Sequence, residues 1–449
     1  MNKPHVNKAR LEAVRPFLYF LKDVTHVLYH MENYSTNPKT NYTFALVVVF
    51  IVCFLIGFIT TMNNSMIAFC SKAFDLSAQQ GQYVNTAFYG AYLLSIPFAM
   101  LMNKIGYKGT LILGLAVAGL GFVANSVGIR SAIGVDAATA DSATVYAVFL
   151  GSMCVVACGV VMLQNVANPY VMVLGSPEKG AFRMTLSQAL NSVATTLAPL
   201  FITYVIIKGQ APAPIAVPGP FLGLGIFTLV ICGILIFLKL PKIDEAKQAE
   251  ASGGHRQYKS SVFKYPHVWL GALAIFMYMG VEIGVPSMLP YKFRAIPAYA
   301  DSYATVATTF LAFYWGGMMV GRFVGAAILA KFEARKLLST CLILGAACIG
   351  LSIVLPGMTG IWAMLVAGLF HSVMWPLIFN LGLQELGPHT KTATGVINTG
   401  VIGAALLMPL MGVIVDATGV IAATCCLFIF YAYIIWFCNW GSKIGLSKK

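Results

Sequence analysis

Long apolar stretches alternate with short polar ones along most of the chain. Twelve of them are long enough to cross a bilayer, because a hydrocarbon core of roughly 30 Å needs about 20 apolar residues in a helix. They occupy residues 43–73, 81–102, 109–129, 143–174, 181–208, 220–240, 265–291, 303–330, 336–355, 359–386, 391–417 and 420–440. The pattern predicts an all-α membrane protein with twelve transmembrane helices, called spans 1 to 12 below.

The two halves of this pattern echo each other. Residues 241–264 form the most polar internal stretch and divide the spans into two sets of six. Leu-Ile-Leu-Gly at 111–114 recurs at 342–345, and Leu-x-Pro-Leu at 197–200 recurs at 407–410, in the same order. This duplication resembles the major facilitator fold, in which two pseudo-symmetric six-helix bundles enclose a central site.

The predicted organisation has five parts. An amino-terminal segment, two bundles, a linker and a tail occupy residues 1–42, 43–240, 241–264, 265–441 and 442–449. Apolar residues at helical spacing between Arg10 and His30 predict an amphipathic helix lying on the membrane surface. His26 and His30 stand four residues apart but lack a third ligand, so no metal site is predicted.

The basic residues predict the orientation. Of the 29 Lys and Arg residues, 23 fall on the side that carries both termini and the linker, 5 fall on the other side, and Arg322 lies within span 8. Cytoplasmic loops of membrane proteins are rich in Lys and Arg. The protein is therefore predicted in a bacterial inner membrane with both termini cytoplasmic. Its net charge of +14 would suggest a nucleic-acid partner in a soluble protein, but here it marks the cytoplasmic loops, so no such partner is predicted.

The composition excludes most other classes of protein. Hydrophobic residues make up 59% of the chain and charged residues 10%, whereas soluble domains are about half apolar and about a quarter charged. A soluble enzyme and a disordered chain are both excluded. The spans contain neither a cluster of metal-binding residues nor a Gly-rich phosphate loop, so neither an enzyme nor a cofactor is predicted.

Uncharged polar residues concentrate in the first half. Amides occur in spans 1, 2, 4 and 5, as Asn64, Asn85, Gln164, Asn168, Gln188 and Asn191. Polar groups are costly inside a bilayer and default to functional hypotheses. Each amide alone is explained by interhelical hydrogen bonding. As a set from four spans, they indicate a binding site, since amides both donate and accept hydrogen bonds as sugar hydroxyls do.

The second half supplies aromatic residues instead. Trp315 in span 8 and Trp375 in span 10 lie far from the interfaces where Trp usually concentrates. Their faces suit the apolar faces of pyranose rings. Tyr278 joins the candidate site residues, and His371 is either a site residue or a packed, hydrogen-bonded histidine.

Two charged residues lie inside the spans of the second half. Of fifteen acidic residues, only Glu282 sits well inside a span. It either couples transport or contacts substrate, or it is a protonated carboxyl bonded to a neighbouring helix. Arg322 is either a gating residue that pairs with carbonyls or a helix C-terminus, or a residue that snorkels to the membrane surface.

Several spaced motifs resemble the fucose:proton symporter family of sugar transporters, within the major facilitator superfamily. The most specific block joins spans 4 and 5. The motifs are Asn-Pro-Tyr-Val at 168–171, Leu-Gly at 174–175, Arg183, Leu-Ser-Gln-Ala-Leu-Asn-Ser at 186–192, the segment 84–92, Tyr-Trp-Gly-Gly at 314–317, Gly-Arg-Phe at 321–323 and Met-Gly-Val-Glu at 279–282.

The resemblance implies alternating access of the two halves around a central sugar site. Fucose-transporting members carry a span 1 aspartate and a span 4 glutamate that are tied to proton coupling. This chain has Asn64 and Gln164 at the matching positions. A glutamine at position 164 also resembles glucose- and galactose-transporting relatives. Neither amide can take up a proton, which leaves Glu282 as the remaining carboxyl and His371 as the rival titratable group.

The sequence therefore predicts a monomeric, multi-pass transporter of a neutral hexose or N-acetylhexosamine. Symport with a proton or a sodium ion is the main hypothesis. An uncoupled uniporter and a transporter-like sugar receptor are the alternatives. The identity of the sugar and of the coupling ion stays open.

Overall fold

The computed structural model describes residues 42–134, 141–173, 180–238, 261–329, 332–384, 386 and 390–446. The predicted amphipathic helix before span 1 lies outside these residues, as does most of the predicted linker. Within them the chain is helical and forms two bundles of six spans.

The first bundle contains spans 1 to 6. Its helices are Tyr42–Ala73, Ala78–Tyr89, Ser95–Ile133, Ser142–Val173, Gly180–Phe201 and Pro218–Phe237. A 3₁₀ turn, Gly90–Leu94, joins the two parts of span 2, and a π turn, Ile202–Ile207, extends span 5. Spans 2 and 3 meet at Gly106, whose φ of 73° is a left-handed conformation that glycine adopts without steric cost.

The second bundle contains spans 7 to 12. Its helices are Pro266–Glu282, Gly284–Arg294, Tyr303–Leu329, Ala334–Val354, Gly357–His371, Met374–Gly382, Thr390–Thr399, Gly403–Thr418 and Val420–Asn439. Among the described residues, eleven spans have the length and hydropathy of membrane-crossing helices. Span 8, Tyr303–Leu329, completes the predicted twelve.

Span continuity differs from the sequence prediction. Spans 2, 7, 10 and 11 were each predicted as one apolar stretch, and each is interrupted near its middle. Prolines explain part of this, because Pro286 and Pro376 lack the N–H that a continuous helix requires. In span 11, a Cβ on Gly400 or Gly403 would collide with backbone carbonyls of span 7. The interruption there lies at the closest approach of two backbones.

Small residues let the spans pack closely within the first bundle. A Cβ on Gly159 of span 4 would lie 2.5 Å from the backbone nitrogen of Ala118 in span 3. A Cβ on Gly121 of span 3 would lie 2.7 Å from the backbone nitrogen of Val156 in span 4. Close approach at small residues is a principal source of helix association where no hydrophobic effect operates.

The spans alternate in direction, so the bundles have two faces. The linker face is where span 6 ends at Phe237 and span 7 begins at Pro266. The opposite face is where span 1 ends at Ala73 and span 2 begins at Ala78. These two names are used throughout.

Candidate substrate cavity

A cavity of about 350 Å³ lies between the two bundles. Spans 1, 2, 4 and 5 line one wall, and spans 7, 8, 10 and 11 line the other. Its volume falls in the range of small-molecule sites, roughly 300–1,000 Å³. It is therefore the candidate substrate site.

Amides dominate the wall that the first bundle contributes. Asn64, Gln164, Gln188 and Asn191 all line the cavity, as the sequence predicted for this set. They come from spans 1, 4 and 5. The structure thus brings together residues that lie up to 127 positions apart in the chain, between Asn64 and Asn191.

Neighbouring groups orient these amides. The Tyr92 hydroxyl donates to Gln164 Oε1 at 2.6 Å, and the Tyr89 hydroxyl donates to Asn64 Oδ1 at 3.2 Å. Each carbonyl oxygen keeps a second lone pair, so both the oxygen and the amide nitrogen can bond a ligand hydroxyl. Asn64 Nδ2 is buried and has no hydrogen-bond partner in the described chain. Such a group costs free energy unless a ligand or water satisfies it.

Tryptophans stand on the wall of the second bundle. Trp315 and Trp375 both line the cavity. The Trp375 ring stacks on Phe379, with centroids 4.8 Å apart and an angle of 15° between planes. Trp315 is only 4% exposed, and its indole N–H lacks a hydrogen-bond acceptor among the described residues. The wall therefore offers apolar ring faces together with one unsatisfied donor.

Glu282 and Arg322 also line the cavity. Glu282 is partly buried at the break in span 7, and its backbone carbonyl accepts a hydrogen bond from the Tyr314 hydroxyl at 3.0 Å. Arg322 Nη1 donates to Ser192 Oγ at 2.6 Å, from span 8 to span 5. The sequence predicted a carbonyl or a helix C-terminus as the partner of Arg322, but its observed partner is a hydroxyl on the other bundle.

Three predicted site residues lie away from the cavity. Asn85 is fully buried and its Nδ2 donates to Ser287 Oγ at 3.1 Å, which makes it a contact between the bundles. Tyr278 is fully buried and donates to the His371 carbonyl at 3.0 Å. His371 is fully buried, with both ring nitrogens bonded to tyrosines. The Asn168 side chain lies outside the described part of the chain.

Several polar residues that line the cavity are missing from the site predicted from the sequence. They include Thr60, Thr195 and Asn398. Thr60 stands four residues before Asn64, and Thr195 stands four residues after Asn191. Residues four apart share a helix face. That spacing was the available signal, but single threonines in apolar spans are common enough to hide it.

Hydrogen bonds between the bundles close the opposite face. The Asp416 carboxylate at the end of span 11 accepts from the backbone N–H groups of Ala78 and Gln79, each at 2.8 Å. These N–H groups begin span 2, where the helix dipole favours a negative charge. Tyr291 of span 7 donates to the Ala78 carbonyl at 3.1 Å. Spans 2, 7 and 11 are thus joined at this face.

The cavity extends toward the linker face. Its lining includes Phe323 and Leu329, and Leu329 is the last residue of the span 8 helix at that face. On the opposite side, the lining stops at the level of Asn64 and Ile283. The structure therefore has the cavity directed to the linker face and sealed from the other.

Comparisons with known proteins agree with this architecture. The profile of the Major Facilitator Superfamily matches residues 49–409. A glucose/galactose transporter of Brucella abortus is 36% identical over 415 residues, which cover 91% of this chain and 97% of the relative. A putative glucose/galactose transporter of Helicobacter pylori J99 is 32% identical, covering 90% and 98%. The L-fucose-proton symporter of Escherichia coli K12 is 26% identical, covering 82% and 85%.

Solved structures share the fold. The transporter FucP in its outward conformation superposes with a TM-score of 0.64 at 24% identity, covering 91% of this chain and 100% of that structure. A D-xylose-proton symporter gives a TM-score of 0.67 at 14% identity, covering 91% and 100%. The chain therefore belongs to the major facilitator superfamily, and within it to the fucose:proton symporter family of sugar transporters. It is a multi-pass membrane transporter rather than an enzyme, so the predicted fold class and family are confirmed.

Proposed function

We propose that the protein carries a neutral hexose or N-acetylhexosamine across a bacterial inner membrane by alternating access, in symport with a proton or a sodium ion. The observation that carries the proposal is the composition of the cavity. Amides from spans 1, 4 and 5 face tryptophans from spans 8 and 10. Amides match sugar hydroxyls, and ring faces match the apolar faces of a pyranose.

The relatives support the choice of sugar class. The relative at 36% identity is named a glucose/galactose transporter, and the relative at 32% identity is named a putative glucose/galactose transporter. An anionic substrate would need an excess of positive charge in the site, whereas the described lining holds one cation, Arg322, and one carboxyl, Glu282. A neutral aldohexose suits the remaining donors and acceptors better.

We assign the linker face to the cytoplasm, because 23 of 29 basic residues fall on that side. The observed conformation is then inward-facing, with the opposite face closed by Asp416 and its partners on span 2. Turning outward requires these bonds to break and new contacts to form at the linker face. In this proposal Arg322 is the gating residue of span 8, and the protein acts as a monomer within the lipid bilayer.

Glu282 is the proposed coupling residue. Asn64 and Gln164, which also line the cavity, are amides and carry no titratable proton. Glu282 contributes the carboxylate to the described cavity lining. A cation that binds at Glu282 would be bound with the sugar and released with it.

The experiment is counterflow of labelled sugar in proteoliposomes, run with glucose, galactose and N-acetylglucosamine. Exchange of at least one sugar is expected, and Gln164→Ala is expected to weaken it. Asn439→Ala is the matched control, because this span 12 amide bonds its own helix at Ile435 and lies outside the cavity lining. Saturable sugar binding without any exchange would overturn transport and indicate a receptor.

An uncoupled uniporter is the second candidate. The observation that favours it is the pair of amides, Asn64 and Gln164, at positions where symporting relatives carry carboxyls. Sugar counterflow without any accumulation in response to imposed proton or sodium gradients would support the uniporter over the symporter.

A further inference from the structure

Span 7 is broken at the residue proposed to couple transport. Its first helix ends at Glu282 and its second begins at Gly284. In a continuous helix the Glu282 carbonyl would accept from the N–H of residue 286, which is a proline and has none. The Tyr314 hydroxyl of span 8 takes that place at 3.0 Å. A side chain from another span therefore holds the backbone of Glu282.

Tyr314 is held in turn by His371. Their Oη and Nδ1 atoms lie 2.8 Å apart. A tyrosine hydroxyl has one proton, and the Glu282 carbonyl can only accept. Tyr314 therefore donates its one hydrogen bond to that carbonyl. The Tyr314 oxygen must then accept from His371. This fixes His371 as the tautomer with its proton on Nδ1.

The other ring nitrogen completes a directed chain. His371 Nε2 is hydrogen-bonded to the Tyr431 hydroxyl of span 12. In a neutral imidazole with Nδ1 protonated, Nε2 is an acceptor, so Tyr431 donates. Hydrogen bonds therefore run in one direction from Tyr431 through His371 and Tyr314 to the Glu282 carbonyl.

The neighbouring spans are shaped to hold this chain. A Cβ on Gly345 of span 9 would lie 3.0 Å from Tyr431 Oη and 3.4 Å from His371 Nε2. A Cβ on Gly368 of span 10 would lie 2.5 Å from the Tyr314 carbonyl oxygen and 2.8 Å from its ring. Two glycines thus provide the space in which the three rings pack.

A second hydrogen bond links the regions around the breaks in spans 7 and 10. The first helix of span 10 ends at His371, and the Tyr278 hydroxyl donates to the His371 carbonyl at 3.0 Å. Tyr278 lies one turn before Glu282 on span 7. The breaks in spans 7 and 10 are each held by a hydrogen bond from a tyrosine. His371 takes part in both arrangements, through its ring at span 7 and through its carbonyl at span 10.

We infer that His371 is a positioning residue for coupled transport: its Nδ1–H holds Tyr314, and Tyr314 holds the break in span 7 so that the Glu282 carboxylate faces the cavity. The inference rests on the proposed coupling role of Glu282. His371 lies outside the described lining of the cavity, which separates its role from that of a binding residue.

Three variants in proteoliposomes test the inference. His371→Leu removes the donor, Tyr314→Phe removes the link, and His371→Asn restores an N–H donor near the Nδ1 position. We expect the first two to keep sugar counterflow but lose about tenfold in gradient-driven accumulation, the scale of one buried hydrogen bond. His371→Asn should recover most of that loss. Tyr433→Phe is the matched control, because it removes a different span 12 hydroxyl, which donates to the Leu270 carbonyl of span 7.

Several results would overturn the inference. If His371→Asn and His371→Leu lose gradient-driven accumulation equally, and the loss follows the fall in thermal stability, then His371 only fills space. Equal losses of counterflow and accumulation would make it part of the sugar site. Nitrogen-15 spectra of histidine-labelled protein give a readout independent of transport, and an Nε2–H tautomer at His371 would contradict the chain. A wild type that ignores both gradients would refute coupling, while the spectrum would still decide the hydrogen-bond direction.

Discussion

The two walls of the cavity are built differently although they come from one duplicated fold. Span 1 runs unbroken for 32 residues, Tyr42–Ala73, and contains no proline. Span 7, its repeat mate, breaks after Glu282, four residues before Pro286. Span 1 therefore presents Asn64 on a continuous helix, whereas span 7 presents Glu282 at a break.

The difference separates two tasks. Recognition of hydroxyls needs donors and acceptors held in fixed places, and Asn64 and Gln164 are each fixed by a tyrosine of span 2. Coupling needs a charge whose surroundings change between states, and Glu282 lies at a helix break whose carbonyl is bonded by a side chain of another span, Tyr314. We therefore expect changes at the amides of the first bundle to alter sugar affinity, and changes at the break in span 7 to alter coupling.

The largest expected effect is in the second bundle. Glu282→Gln removes the coupling carboxylate while keeping the size of the side chain. The variant is expected to lose gradient-driven accumulation altogether and to keep counterflow, because exchange of sugar needs no cation gradient. Proteoliposomes with imposed proton or sodium gradients measure both activities. Accumulation at the wild-type level would remove Glu282 from the mechanism and weaken the division between the walls.

The first bundle supplies the next effect. Gln164→Ala removes an amide whose oxygen is already held by Tyr92, leaving that hydroxyl unpaired. The sugar dissociation constant is expected to rise about tenfold, as for loss of a buried hydrogen bond. Ligand-dependent thermal stabilisation of the purified protein measures the constant. An unchanged affinity alongside lost coupling would reverse the roles assigned to the two walls.

Arg322 crosses between the walls and is expected to act on rate. Arg322→Ala removes its hydrogen bond to Ser192, so counterflow should slow by about tenfold, the lower end of the range for a bond to a charged group. Equilibrium sugar affinity should change little. Ser192→Ala removes the same contact from the other side and should give a similar slowing. If affinity collapses while exchange keeps its rate, Arg322 is a binding residue.

The smallest effect is expected at the opposite face. Asp416→Asn replaces a carboxylate that caps span 2 with a neutral group, which weakens helix capping by about 1 kcal/mol. The population should shift several-fold toward the outward state. Distances between spin labels at positions 75 and 418 measure the shift, and Asp301→Asn, an exposed residue at the same face, is the control. Identical distance distributions in Asp416→Asn and wild type would exclude Asp416 from the closure.

Much of the architecture was available from the sequence. Spans of about 20 apolar residues define the helices, because a bilayer tolerates no unpaired backbone groups. The polar stretch after span 6 and the repeated motifs indicated two bundles. The amides and tryptophans stood out because polar groups and central tryptophans are unusual inside spans. Six of the predicted amides and tryptophans line the cavity: Asn64, Gln164, Gln188, Asn191, Trp315 and Trp375.

Tertiary structure alone decided which way the remaining side chains face. In a chain that is 59% hydrophobic, most spans are apolar all round, so the sequence hardly indicates how each helix is rotated. Asn85 and His371 are as polar as Gln164, yet packing turns them toward other spans. The break at Glu282 follows from Pro286, but only the approach of Tyr314 from span 8 shows what replaces the lost hydrogen bond. The sealed face is likewise a property of contacts between bundles, since the Asp416 carboxylate meets span 2 across more than 300 residues of chain.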